Sequence, residues 1–584
     1  MYHEFVDSIS MDRLMEHVRS LTEISPERLS GTETEKRVVS YFENYLGKFG
    51  VPMTVHKLDG FVSFPGRSSL KVTNPSDMEI PCSTFAQIPS TGEDGLEGDL
   101  IYVGNGGEED YTGLDVKNKI VLTELSYSPP RPEKVRIATS HDARGMVMMN
   151  WGLPEHEALP LGTVKSIWGN PTDHDFHRMP TIPVLGVTRR SGEQLKDLCD
   201  RGPVKVFMIA RAERRWETIL LPRIVIPGSG KSGKFVLVGG HYDCWNAGVT
   251  CNAVGNSLKL EIARILWKNR DKLHHDVWIC FWPAHETGIM EGSVWLVDNF
   301  WREIRDKGIA YVNIDSPGLK EASEFVSRTS PELAKFNEDA VKEYLDASIP
   351  TRRLRLTRTG DQSFFGIGLP ALYARHTPSP EEQKKMHGAT LGWWYHSTED
   401  TIDKIDKENY LVDSRMIMTY VVKLAAHRLF PFEFIVSAQE FIDRLNEIQV
   451  EANGRLDLSA EIAQAQQYRQ KAAMLADAAE KIGTNAKAAG SRQIDAINDC
   501  YLRLSRIVTP VLSTVQGRYG HDTYGLSAQN KPLPGLFDVA RLACLDTEED
   551  AFKLMITRLI REKNRTSDVL VEAVHLIDLT LSRL

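Results

Sequence analysis

The chain has no uninterrupted apolar run of the roughly 18 residues that a membrane-spanning helix needs. Its opening stretch, MYHEFVDSISMDRLMEHVRS, is charged throughout and lacks the apolar segment of a secretory signal. A cytoplasmic, non-membrane protein is the expectation. Cysteine is scarce, with seven residues in 584 (Cys82, Cys199, Cys244, Cys251, Cys280, Cys500, Cys544), an odd number without a CxxC spacing. That pattern argues against a disulfide framework and suits a reducing compartment. Excess positive charge is also missing, because 70 Lys and Arg face 79 Asp and Glu, for a net charge of −9. A surface built for the phosphates of nucleic acid is therefore not expected. Low-complexity tracts and internal repeats are absent, and 42% hydrophobic against 26% charged residues is a globular composition, not a disordered one.

What is present is enough apolar material for several cores. A length of 584 residues is about three to four typical domains, so two to four are expected. Near the N-terminus Leu14, Val18 and Leu21 form one helical stripe, and Val38, Tyr41, Phe42 and Leu46 another. Between them, in ERLSGTETEKRV, Ser30 or Thr32 caps the second helix and Glu35 completes a capping box. From about 61 to 215, β-like runs (DLIYVG, KIVLTEL, GMVMMN, IPVLGV, VKVFMI) alternate with Gly, Pro and Asp turns, a separate strand-rich unit. FVLVGGHYD, DVWICFWPAHE and IAYVNID are continuous apolar runs that end in polar residues, and helical segments lie between them. This alternation predicts an α/β domain with a mixed, mostly parallel sheet sandwiched by helices, whose ligands gather at the carboxyl ends of the strands. Beyond about residue 434, 3.6-residue periodicity predicts a helical domain in which GRYGHDTYGLSAQNKPLPG is a loop. The expected division is 1–60 with 216–434 for the α/β domain, 61–215 for the insertion and 435–584 for the helical domain.

Four polar clusters stand at strand or loop ends: His241 with Asp243, His285 with Glu286, Asp315, and His396 in WWYHSTEDTIDKID. Imidazole and carboxylate suit zinc and similar divalent ions, which must collect ligands from separate strand ends. One such residue is ordinarily a hydrogen-bonded structural group, and HE without the second His of HExxH says little. Four clusters in order say more.

Together these motifs resemble the zinc aminopeptidase and glutamate carboxypeptidase family, which also contains the transferrin receptor. The resemblance spans nearly the whole chain: GGHYD with its following helix, the Phe281 to Ser293 segment, VNID and YHSTEDTID match the catalytic domain in order. EGDLIYVGNGGEEDYTGLDVKNKIVL resembles the protease-associated domain, and the C-terminal helices resemble the dimerisation domain, which implies a homodimer. The resemblance implies that His241 and Asp315 hold one zinc and Glu286 and His396 another. It makes Asp243 a carboxylate that orients the His241 imidazole. Tyr395 stands where a phenol donates to the tetrahedral intermediate, with simple packing beside two tryptophans as the alternative.

Two positions depart from the family. Where it has an aspartate bridging two zincs, this chain has Cys251 in TCNAVG, and where it has a general-base glutamate this chain has His285 in PAHETG. A carboxylate spaces two ions by roughly 3.5–4 Å. A thiolate is one soft atom that binds zinc well without imposing that spacing. The outcomes are a thiolate-containing dinuclear site, one ion held by His241, Cys251 and Asp315 or by a set including His285, or loss of metal and catalysis; a single ion is favoured. His285 then acts as a base, with a reference pKa of about 6.5, or as a ligand. Cys251 as a nucleophile served by His285 is a further alternative. Cys244 and Cys280 read as core residues. In RTGDQSFFGIGLPALYARH, Arg358, Arg375 and His376 either meet an anionic group or lie in solvent. His521 and Asp522 precede the loop by which the family's third domain reaches toward the cleft. The expected function is metal-dependent cleavage of an amide bond in a peptide or small amide, using zinc or another divalent ion. The alternatives are a different metal-assisted reaction, such as a lyase or non-peptide hydrolysis, and a non-catalytic, receptor-like binding protein.

Overall fold

A computed structural model describes residues 3–126, 128–230, 232–358, 360–484 and 491–584. Its α/β core centres on four parallel strands in the order Ala371–Thr377, Gly308–Asn313, Phe235–His241 and Asp276–Trp282. Glu324–Thr329 runs antiparallel beside the first of these, and Val204–Ile226 runs antiparallel beside the last. Phe235–His241 is buried along its whole length, which is why it reads as one apolar run. Helices cover both faces. On one side Met11–Ile24, Glu33–Gly47 and Val254–Lys268 share a core through Leu14, Val18, Val38, Phe42 and Leu258. On the other, Leu296, Val297 and Ile304 pack on Leu237 and Trp282.

The N-terminal helices therefore belong to the α/β unit, and the strand-rich unit is inserted between them and the sheet. Its entry and exit form one antiparallel ribbon, Met53–Asn74 against Val204–Ile226, from the pair Met53/Ile224 to Asn74/Lys205. Phe61 and Trp216 face each other midway along it, and the ladder shifts register between Pro65 and Ser68 and again between Val72 and Asn74 as the chain passes from one unit to the other. Beyond the ribbon, Leu96–Tyr102, Ile120–Glu124, Gly145–Met149 and Val184–Val187 carry a separate core around Leu100, Val121, Val147 and Leu185.

The helical region contains Ile435–Glu451, Ser459–Thr484, Ser491–Ser513 and Asp550–Leu581. It is pinned to the α/β unit by Arg506, 3% exposed, which donates to the carbonyls of Ile304, Arg305, Gly308 and Gly368. The insertion is tied down by a fully buried ion pair, Lys165 to Glu291 at 3.3 Å. Among the described residues no helix is long and apolar enough to cross a membrane.

The expected capping box forms only in part. Thr32 caps Glu33–Gly47 by accepting from the Glu35 N–H, but the Glu35 carboxylate does not return to the Thr32 N–H. It accepts instead from Gly31 N–H at 3.1 Å, Leu220 N–H at 3.2 Å and the Tyr242 hydroxyl at 2.8 Å, joining helix, ribbon and sheet.

Candidate metal centre

Three strand ends and two loops converge on one buried point. His241 ends its strand, wholly buried, and its Nδ1 lies 2.8 Å from the Asp243 main-chain carbonyl. A carbonyl only accepts, so Nδ1 carries the proton and the Nε2 lone pair faces inward. The Asp243 side chain stands farther from the ring than its carbonyl does. Its carboxylate is 3.7 Å from His241 Nδ1 and accepts instead from the His285 and Glu286 N–H groups, at 3.1 and 3.0 Å. Asp243 orients the imidazole through its backbone and holds the PAHETG turn through its side chain.

Cys251 sits in a kinked turn, Val249–Ala253, where it and Asn252 leave helical backbone angles, entered through Gly248. Gly248 has φ +50°, and a Cβ there would lie 2.5 Å from the Cys244 side chain, so only glycine fits. Asp400 fixes the turn by accepting from Thr250 N–H, the Thr250 hydroxyl and Cys251 N–H at 2.9, 2.7 and 3.1 Å. Asn252 donates to the carbonyls of His241 and Ile314, locking the first and third strand ends together. As a result the Cys251 sulfur lies 3.6 Å from His241 Nε2, 3.4 Å from Glu286 Oε1 and 3.7 Å from His396 Nε2. His241 Nε2 is also 3.6 Å from Asp315 Oδ1.

These residues fit a metal. Donors held 2.0–2.3 Å from a tetrahedral zinc stand roughly 3.4–3.6 Å from one another, the spacing found around the sulfur. The ligand atoms of His241, Cys251 and Glu286 all lie within 4.8 Å of one another, and all three residues are buried. Trp245 donates its indole N–H to Glu286 Oε2 at 2.8 Å, which leaves Oε1 facing the sulfur. Burial, reinforced by the Glu286 carboxylate, holds the Cys251 thiol well above its ordinary pKa. Burial would also raise Glu286 and Asp315, but the surrounding imidazoles, together with Arg375 at Asp315, hold both carboxyls below the usual range. His396 is committed differently. Arg131 approaches its Nδ1 at 3.4 Å, so its Nε2–H points to Glu286 Oε1 at 2.8 Å.

His285 lies flat on His241, ring centroids 3.9 Å apart, with Nδ1 3.2 Å from Asp361 Oδ2. Burial and the neighbouring His241 would lower its pKa, and Asp361 together with Glu286 more than offsets them. Tyr395 stacks on His396 at 3.9 Å and borders the same cavity of about 320 Å³. Five arginines (Arg131, Arg328, Arg352, Arg358, Arg375) line that cavity against two acids, Glu286 and Asp315. Of the residues expected to meet an anion, Arg375 is held by the Asp315 carbonyl at 2.6 Å, and His376 turns away to Asp413, 2.7 Å from its Nδ1. His521 pairs with Asp298 at 3.1 Å, and the residue of that segment lining the cavity is Tyr524. Cys244 and Cys280 are fully buried. The sequence reading assigned no role to Asp361, Asp400, Trp245 or Arg131. A signal existed for Asp400, four residues beyond His396, and for Asp361, an acid inside the cleft-lining segment; Trp245 and Arg131 had none.

Known proteins share this architecture. Residues 224–421 match the model of peptidase family M28, and residues 96–195 match the PA domain. A probable glutamate carboxypeptidase of Arabidopsis thaliana is 22% identical over 97% of this chain and 90% of its own length. An aminopeptidase of Bacillus subtilis is 25% identical over 67% and 80%. Among solved structures, a peptidase M28 precursor from Shewanella amazonensis superposes with a TM-score of 0.59 at 16% identity, covering 74% of this chain and 97% of its own. A zinc aminopeptidase from Bacillus subtilis gives 0.54 at 21%, covering 71% and 95%. Residues 224–421 thus resemble peptidase family M28, with a stretch similar to the PA domain ahead of them, and these likenesses mark the chain as a metallo-hydrolase.

Proposed function

We propose that the protein hydrolyses an amide bond in a peptide or small amide with a single divalent ion, zinc by the chemistry of the donors, held by His241, Cys251 and Glu286. The sulfur set 3.6 Å from His241 Nε2 and 3.4 Å from Glu286 Oε1 carries this reading. Asp315, 3.6 Å from His241 Nε2, flanks the centre and would complete its coordination, and His396 holds Glu286 through its Nε2–H. Bound there, the ion supplies Lewis-acid polarisation of the carbonyl and an acidified water. His285 would accept a proton from a water activated there and return it to the leaving amine, and the buried Asp361 carboxylate, 3.2 Å from its Nδ1, is the charge that favours the imidazolium. Tyr395, beside His396, donates to the developing oxyanion.

A homodimer through the helical domain fits its exposed Val450, Met474, Leu554 and Val571, and the free state of all seven cysteines supports a cytoplasmic location. The test is metal analysis of the purified protein combined with a panel of dipeptides and acyl-amino acids. About one ion per chain, with hydrolysis lost on chelation and restored by zinc, supports the reading. Metal-free protein inert to added zinc contradicts it.

A further inference from the structure

A cavity of about 710 Å³, a size that takes a small-molecule ligand, lies where the α/β unit meets the helical region. Lys234 and Arg305 line it from the α/β unit, Arg492 and Arg503 from the helix Ser491–Ser513, and Arg583 from just past the end of Asp550–Leu581. The site is remote from the candidate metal centre. Lys234 precedes the strand Phe235–His241, whose far end carries the metal-facing imidazole, and that length of strand at about 3.3 Å per residue puts roughly 20 Å between them.

The charge around this cavity is one-sided. Arg503 and Arg506 stand about three and four helical turns past Arg492, so all three share one face of their helix. The acids beside them are mostly taken: Asp499 lies 3.8 Å from Lys234, Asp306 2.6 Å from Arg302 and Asp495 4.0 Å from Arg428, which leaves Glu572. Among the described residues Arg305, Arg492, Arg503, Arg518 and Arg583 line the cavity without a carboxylate partner. Arg506 is committed to backbone carbonyls and registers the crowding, because burial and then the Arg305 charge pull its pKa down to about 9. Five unpaired cations against one unpaired acid, in a chain whose net charge is −9, concentrate a field that attracts an anion.

The cations are arginines, whose planar fork meets two phosphate oxygens at once. They come from separate elements around the cavity, so one phosphate cannot engage them all, whereas a chain of phosphates can. We propose that this cavity binds a compact polyphosphate anion, free or borne by a nucleoside, which clamps the helical region to the α/β unit. The proposal is independent of the hydrolase reading.

Orthophosphate, inorganic triphosphate and ATP are titrated calorimetrically into the full-length protein, and Tm is followed in parallel. Triphosphate is expected to bind at least about tenfold more tightly than orthophosphate, and Arg503→Gln/Arg583→Gln to weaken it by about tenfold or more. The unliganded double variant keeps its Tm, because neither side chain gives up an ion pair or hydrogen bond, while the rise in Tm that triphosphate brings to the wild type disappears. Arg305→Gln, on the α/β side, weakens binding by itself and serves if the double variant does not fold. ATP bound more tightly than triphosphate supports a nucleotide, and equal affinity supports the polyphosphate alone. Triphosphate bound no more tightly than orthophosphate, or undiminished in these variants, overturns the proposal. So does a loss of binding confined to Arg328→Gln, which would place the anion in the cleft of the metal centre.

Discussion

Replacing Glu35 by Gln should flatten the pH dependence of stability. Glu35 is 2% exposed, and burial outweighs the three hydrogen bonds its carboxylate accepts, lifting its carboxyl from 4.5 to about 7. A carboxyl raised above its unfolded value favours the folded state while protonated. That contribution is complete below about pH 4.5 and is lost as pH climbs through about 7. A rise of about 2.5 units at 1.36 kcal/mol each is about 3.4 kcal/mol. The Gln variant cannot ionise, so it escapes this loss, although its amide nitrogen fits poorly against the Gly31 and Leu220 N–H groups. The fixed cost of that misfit cancels when the two proteins are compared at two pH values. Urea unfolding followed by tryptophan fluorescence at pH 4.5 and pH 8 should therefore show the difference between variant and wild type moving by about 3 kcal/mol in favour of the variant. A difference constant to within about 1 kcal/mol would refute the reasoning, because Glu35 would then be ionised in the fold at both pH values.

Asp361→Asn should leave metal content unchanged and lower kcat by about 10- to 100-fold, because its carboxylate meets the His285 ring and the Ser293 hydroxyl and none of the metal donors; loss of metal together with activity would count against that separation. Asp400→Ala strands two buried N–H groups and a hydroxyl at Thr250 and Cys251, so unfolding stability should fall by about 3 kcal/mol and metal should be retained less firmly. An unchanged metal affinity would show that the Cys251 turn keeps its shape without it.

Strand ends are what the sequence makes legible. Continuous apolar runs ending in GGHYD, PAHE and VNID identify a sheet covered on both faces, and chemistry at its carboxyl edge follows from that topology. His241, Glu286, Asp315 and His396 thus converge as the pattern predicts, with Cys251 among them. Hydrogen-bond partners chosen only by tertiary packing are not legible. A capping box is a local signal, yet Glu35 is claimed by Leu220 and Tyr242, about two hundred residues away in the chain. Asp243 offers two acceptors, a carbonyl and a carboxylate, and no spacing rule says which of them meets the imidazole. The run of basic residues before Gly360 divides between ion pairs and the buried fork of Arg358, a distinction that burial alone makes.

The central claim is that Cys251 sulfur belongs to the metal site. X-ray absorption at the zinc edge of the zinc-loaded protein tests it directly. The account predicts about one zinc per chain with a single sulfur neighbour at about 2.3 Å, and loss of that sulfur shell in Cys251→Ser. A spectrum with nitrogen and oxygen neighbours only, identical in wild type and variant, would contradict it.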